Sequence, residues 1–229
     1  MNIPIEPATR VFAELVKGRG TAKEAALRTL DTSGPSFDRE HLRTLIVRAI
    51  KSDYQPPRPG QSQDLWSSDT RCWLLSALGR VCEGDRDAAA LVRRHLDPAV
   101  EPYKWARYWA LEGLYVGNPG DLLALAQQIA VSNDDPLIVS LATAIVAATG
   151  DNKAIADVEH RLQGKDDEKW AMLRGLRVVP ALDGAIVTRV CDMVKAGTYS
   201  DVTFDAIIAL GRIAPDSRHA ETAARTLAD

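Results

Sequence analysis

The sequence predicts an all-α fold, an α-solenoid of about six helical pairs. Three observations predict it. A nine-residue pattern returns six times, turn residues recur between the copies, and no stretch alternates apolar and polar residues as a strand would. In the pattern the first place is usually apolar, the second often Arg, and the fifth apolar. The eighth is Ala or Gly and the ninth Leu or Ile. The copies are Leu42-Arg43…Ile46…Ala49-Ile50, Thr70-Arg71…Leu74…Ala77-Leu78 and Ala106-Arg107…Ala110…Gly113-Leu114, then Leu137-Ile138…Leu141…Ala144-Ile145, Glu168-Lys169…Met172…Gly175-Leu176 and Val202-Thr203…Ala206…Ala209-Leu210. The closing residues stand at 50, 78, 114, 145, 176 and 210, spaced as stacked helical pairs are. Thr70 and Glu168 break the apolar rule at the first place.

Within one copy these places share one face of an α-helix. The small eighth residue lets a neighbouring helix approach closely. One pair alone cannot bury its apolar face, so pairs must stack. The chain is therefore expected to be one domain over 1–229, with an N-terminal helical cap over 1–36 and repeats over 37–229.

The elements follow in order. Helices are expected at 7–17 and 21–30, parted by Gly18-Arg19-Gly20, with Thr21 and Glu24 at capping-box spacing. The first motif helix spans 38–51. Next comes a Pro-rich loop over 53–65, because Pro56, Pro57, Pro59 and Gly60 cannot form a helix interior. Motif helices follow at 69–82, 103–116, 135–149, 167–178 and 201–213. Partner helices lie at 86–96, 120–131, 152–163, 181–196 and 216–228. Asp69, Asp135, Asp167 and Asp201 stand where an acidic residue would complement a helix start. A polar terminal cap is expected from Arg218, His219, Glu221 and Arg225.

Composition narrows the function classes. The chain has 229 residues, 46% hydrophobic and 26% charged, with net charge -3. That balance argues against a phosphate-backbone partner, which calls for surplus Lys and Arg. No run of 18 apolar residues suggests a membrane span, and the N-terminus has no signal-peptide pattern. Cys72, Cys82 and Cys191 form no even framework and no CxxC, as suits reduced thiols in a cytoplasm.

No catalytic or metal-binding motif is present. His41, His95, His160 and His219 lack a His or Cys at i+3 or i+4, and His95 and His160 read as solvated-face residues. GxSxG, P-loop and GxGxxG patterns are absent. Asn133-Asp134-Asp135 reads as a helix start, since Pro136 follows. No cofactor is expected. Trp73 and Trp109 occupy the same place in two copies and read as packing between repeats. Trp105 and Tyr108 lie off the small-residue stripe beside Tyr103, Lys104 and Tyr115, an aromatic grouping suited to a partner hot spot. Arg93 and Arg94, with Arg71, Arg80, Arg86 and Arg107, either form a basic patch or pair with nearby Asp and Glu. With Arg58 as a cation and Trp66 as an anchor, the loop is expected either to form one edge of that site or to be a tolerated insertion with no role.

On these repeats the chain resembles the HEAT-like repeats of the armadillo-type superfamily, especially the short variety also found in phycobilin lyases. The resemblance covers 38–229, with a degenerate copy at 8–31, and implies a right-handed α-solenoid of about six HEAT-like helical pairs. In that family the second-place residue is often Arg, paired with Asp in a stacked ladder. Arg43, Arg71 and Arg107 match, whereas Ile138, Lys169 and Thr203 depart, so a ladder is expected to weaken toward the C-terminus. The resemblance makes the Arg-bearing helix the inner one. It thereby places Arg71, Lys104, Trp105, Arg107, Tyr108, Lys169 and Trp170 on a concave, basic-leaning side. It implies a non-catalytic scaffold or adaptor with an acidic protein partner, as a monomer or weak oligomer. The alternative it implies is an enzyme, a DNA glycosylase or a bilin lyase-type protein; non-specific nucleic-acid binding is disfavoured by charge.

Overall fold

Local signals start the helices where the sequence places them. In this computed structural model, which describes residues 6–34, 37–53, 65–117, 120–180, 182, 184–197, 201–213 and 220–228, the described residues form thirteen α-helices and no strand. They are α1 (Pro7–Lys17), α2 (Gly20–Thr32), α3 (Arg39–Asp53), α4 (Leu65–Val81), α5 (Arg86–Arg94), α6 (Lys104–Gly117) and α7 (Leu122–Ala130). Then come α8 (Pro136–Ala147), α9 (Asn152–Arg161), α10 (Asp166–Leu176), α11 (Gly184–Ala196), α12 (Asp201–Ile213) and α13 (Ala220–Ala228). All thirteen match expected helices. No helix among the described residues is long and apolar enough to cross a membrane.

Several starts have visible causes. Glu6 accepts hydrogen bonds from the Ala8 and Thr9 amides ahead of α1, with Pro7 at the first helical position. Asp85, Asp135 and Asp151 cap α5, α8 and α9 in the same way. The turns before α5 and α9 need a left-handed residue, supplied by Gly84 at φ 75° and Gly150 at φ 86°.

Two expectations are corrected. Thr21 and Glu24 make no capping box, because α2 begins at Gly20 and Thr21 falls inside its first turn. Asp69 does not start α4, which already begins at Leu65 and so carries Asp69 one turn in. The Pro-rich residues 54–64, Arg58 among them, lie outside the described residues, as do 214–219.

The contacts divide the chain into two compact units, 1–122 and 123–229. In the first unit α1 packs on α2 and α3, α3 on α4, and α5 on α4 and α6. The strongest association is α4 on α6. Every residue of α4 from Cys72 onward is buried, as is Cys82 just beyond it, the behaviour of a helix enclosed on all sides. Its backbone touches that of α6. A β-carbon on Gly113 would lie 2.7 Å from the Ser76 Cα, and one on Gly79 2.8 Å from the Gly113 Cα. One on Gly117 would lie 2.9 Å from the Gly79 carbonyl carbon. Only glycine permits this approach.

In the second unit α8, α10 and α12 pack in succession, while α9 packs on α11 and α11 on α13. Leu137–Ala147 of α8 are all buried. Gly175 brings α10 onto α8, where a β-carbon would sit 2.8 Å from the Ser140 carbonyl oxygen and 3.0 Å from the Leu141 Cα. Gly113 and Gly175 hold the same eighth place of their copies, so the small residue does allow close helix approach in both.

Candidate functional site

The second-place arginines of the first unit tie helices to the turns beside them. Arg43 of α3 places its Nε 2.7 Å from the Asp85 carboxylate and donates to the Val81 carbonyl at 3.1 Å. Arg71 of α4 donates twice to Glu101, at 3.1 and 3.4 Å. Glu101 is fully buried and also accepts the Tyr103 amide at 3.1 Å, which fixes the turn into α6. Arg107, the third match, is itself buried.

A deeper polar cluster joins α2, α4 and α6. Glu112 accepts from the Ser76 hydroxyl at 2.7 Å and from Arg80 at 2.5 Å, and the Arg80 Nε lies 3.4 Å from Asp31. Charge-assisted bonds in such a dry setting are strong, and losing one partner is costly. In the second unit Ile138 is buried where an Arg would stand, and Lys169 forms only an exposed pair with Asp166 at 3.2 Å. The cross-link there comes from other places in the pattern. Arg174 of α10 and Arg177, which follows its last residue, donate to Asp205 of α12 at 3.1 and 2.6 Å, with Asp205 almost wholly buried.

The middle of α4 and the first half of α6 carry a continuous aromatic chain. Trp73 and Trp109 lie with ring centroids 5.0 Å apart. Trp109 meets Tyr108 edge-on at 6.2 Å, and Tyr108 meets Trp105 edge-on at 5.9 Å. These are the offset and edge-to-face geometries aromatic quadrupoles favour. Trp73 and Tyr108 are buried, Trp105 and Trp109 half-buried, and Lys104 exposed at the first residue of α6. One end of the chain therefore belongs to the core and the other reaches the surface beside a cation. The packing reading of Trp73 and Trp109 matches this contact.

The other sequence-predicted residues distribute as follows. Lys104 and Trp105 stand at this surface, while Arg107 and Tyr108, expected on an open side, are buried, and Arg71 is held by Glu101. Trp66 falls in the first turn of α4. Arg93 pairs with Asp121 in a groove of about 630 Å³ that also holds Asp85, Arg86 and Glu83, while Arg94 is exposed. With Arg71, Arg80 and Arg93 all engaged by carboxylates, the pairing alternative describes these cations better than an open basic patch. Lys169 and Trp170 belong to the second unit. There Arg174 lies 5.3 Å from the Trp170 ring centroid, so this indole holds the arginine that grips Asp205.

His160 is exposed as expected, but His95 is buried. The chain turns at the end of α5, and the imidazole Nδ1 folds back to 2.9 Å from the Leu91 carbonyl. The three thiols are buried. Burial pushes the Cys82 thiol above its usual range, and it donates to the Gly79 carbonyl at 3.0 Å, the opposite of nucleophile activation. Among the described residues no group of three or more His, Cys, Asp and Glu could hold a metal ion. Sequence reasoning missed Glu101, Glu112 and Asp205. Asp205 had a visible signal, a lone carboxylate on the apolar face of a motif helix; Glu101, in an irregular turn, had none.

Comparison with protein-family models, curated proteins and solved structures yields no match to this chain.

Proposed function

We propose that this chain is a HEAT-like right-handed α-solenoid acting as a non-catalytic protein-interaction scaffold, with its partner seated at the start of α6. The succession α8, α10, α12 beside α9, α11, α13 supports the solenoid reading. The observation that carries the functional reading is the aromatic chain ending at half-buried Trp105 beside exposed Lys104. A rigid, core-anchored aromatic with a polar edge is the composition of an interface hot spot, because it loses little entropy on docking. Lys104 favours a partner surface bearing carboxylates.

The test is cross-linking and mass spectrometry in the native host, comparing the parent with Trp105→Ala/Lys104→Glu. One protein recovered with the parent should fall at least about tenfold with the variant, since hot-spot truncation costs 2 kcal/mol or more. Melting should stay near that of the parent. Undiminished recovery would remove this surface as the site. Saturable binding of duplex DNA or a linear tetrapyrrole would replace the scaffold reading with an enzyme-type one.

A further inference from the structure

Among the described residues, the last motif helix presents an apolar stripe that its unit leaves open. Phe204 is 62% and Ile207 41% exposed, Ile208 is half-buried, and a β-carbon on Gly211 would meet nothing within 4 Å. These four residues recur at i, i+3, i+4 and i+7 and form one stripe. In the repeat register they correspond to Cys72, Leu75, Ser76 and Gly79 of α4. All four of those are buried, and Ser76 and Gly79 are the residues whose backbone meets α6. The α12 stripe thus has the place and the glycine of a helix-packing surface, but larger apolar side chains.

We propose that this stripe docks a second copy of the same chain, α12 against α12 across a two-fold axis. The stripe is complementary to itself when the helices run antiparallel. Phe204 then lies over Gly211 of the other copy, a large side chain over a bare backbone, and the exchange occurs twice. Ile207 and Ile208 meet at the axis. Charge agrees with the same arrangement. Exposed Asp201 and Arg212 are eleven residues apart, about three helical turns, so they share one flank of the stripe. An antiparallel pair brings like flanks together and sets Asp201 opposite the other copy's Arg212. A contact built on one helix is small, so the dimer is weak and forms in the micromolar range.

Sedimentation velocity of the intact chain over a wide concentration range tests this. The parent should shift from 24.9 kDa toward twice that mass as concentration rises. Phe204→Glu should hold it at monomer mass throughout. Gly211→Leu should do the same without lowering the melting temperature, because its side chain fills open space in the monomer. Asp201→Arg and Arg212→Asp should each weaken association, and a one-to-one mixture should restore it, since only the mixed pair matches both flanks. A parent that stays monomeric, a Phe204→Glu variant that dimerises like the parent, or a mixture no tighter than its components would each overturn the proposal.

Discussion

The two units use one repeat pattern and join their motif helices differently. In the first, Gly79, Gly113 and Gly117 bring the α4 and α6 backbones into contact, and Glu112 holds Arg80 and Ser76 within the core. In the second, one glycine, Gly175, suffices, and the polar link is a single carboxylate gripped by two arginines that keep about 30% of their side chains exposed. At these glycines close backbone approach leaves no room for side chains between α4 and α6, while Trp73 and Trp109 fill another part of the same contact. Arg80, Glu112 and Ser76 are buried within it, so their bonds are sensitive to the loss of any one of them. The looser α10/α12 link sits nearer water and tolerates loss better. The aromatic surface also belongs to the first unit, so its tight helix pair doubles as the rigid base of the proposed partner site.

That contrast can be broken in descending steps. Glu112→Ala leaves the Arg80 charge buried beside Asp31 alone and should cost about 3–5 kcal/mol in chemical unfolding. Asp205→Asn should cost less, about 1–3 kcal/mol, because Arg174 and Arg177 can turn to water. Equal losses would erase the distinction between a dry and a wet cross-link. Trp170→Ala, which removes the ring beneath Arg174, should cost about 1 kcal/mol for the cation–π contact plus its packing. Its effect should shrink when Asp205 is already Asn, a double-mutant cycle that checks whether the indole acts through the ion pair.

The smallest effect concerns α1. Hydrogen bonds from the Ala8 amide, then from Thr9, hold the Glu6 carboxyl below its usual value. A depressed folded value means the cap contributes fully above the ordinary carboxylate range and fades as pH falls through the lowered one. Hydrogen exchange at the Ala8 and Thr9 amides should quicken over that acidic interval in the parent. In Glu6→Gln it should be insensitive to pH there once intrinsic exchange is subtracted.

The helices were legible because periodic apolar places, capping aspartates and turn glycines all act locally. Asp135 with Pro136, for instance, marks the start of α8 without reference to the rest of the chain. The eighth-place glycines were legible as close-approach sites for the same reason. The polar partners were not. Glu101 and Glu112 follow their cations by 30 and 32 residues, and nothing in the spacing says which carboxylate each arginine reaches. Arg107 and Tyr108 looked like surface groups on charge and polarity alone, whereas α6 is enclosed on nearly every side and buries both. Trp105, two residues before Arg107, is only half-buried, a difference set by two helical steps of about 100° each.

Three alanine substitutions, melted side by side, test the central claim that backbone contact between motif helices tightens in the first unit, loosens in the second and is absent at the last helix. Gly117→Ala should lose about 3 kcal/mol, the upper end of overpacking, because its new methyl meets the Gly79 backbone. Gly175→Ala should lose about 1–2 kcal/mol, since Ser140 and Leu141 stand slightly farther off. Gly211→Ala should hold or gain up to about 1 kcal/mol, the helix propensity of alanine over glycine in open space. The same melting loss in all three, or a clear loss at Gly211, would contradict the account.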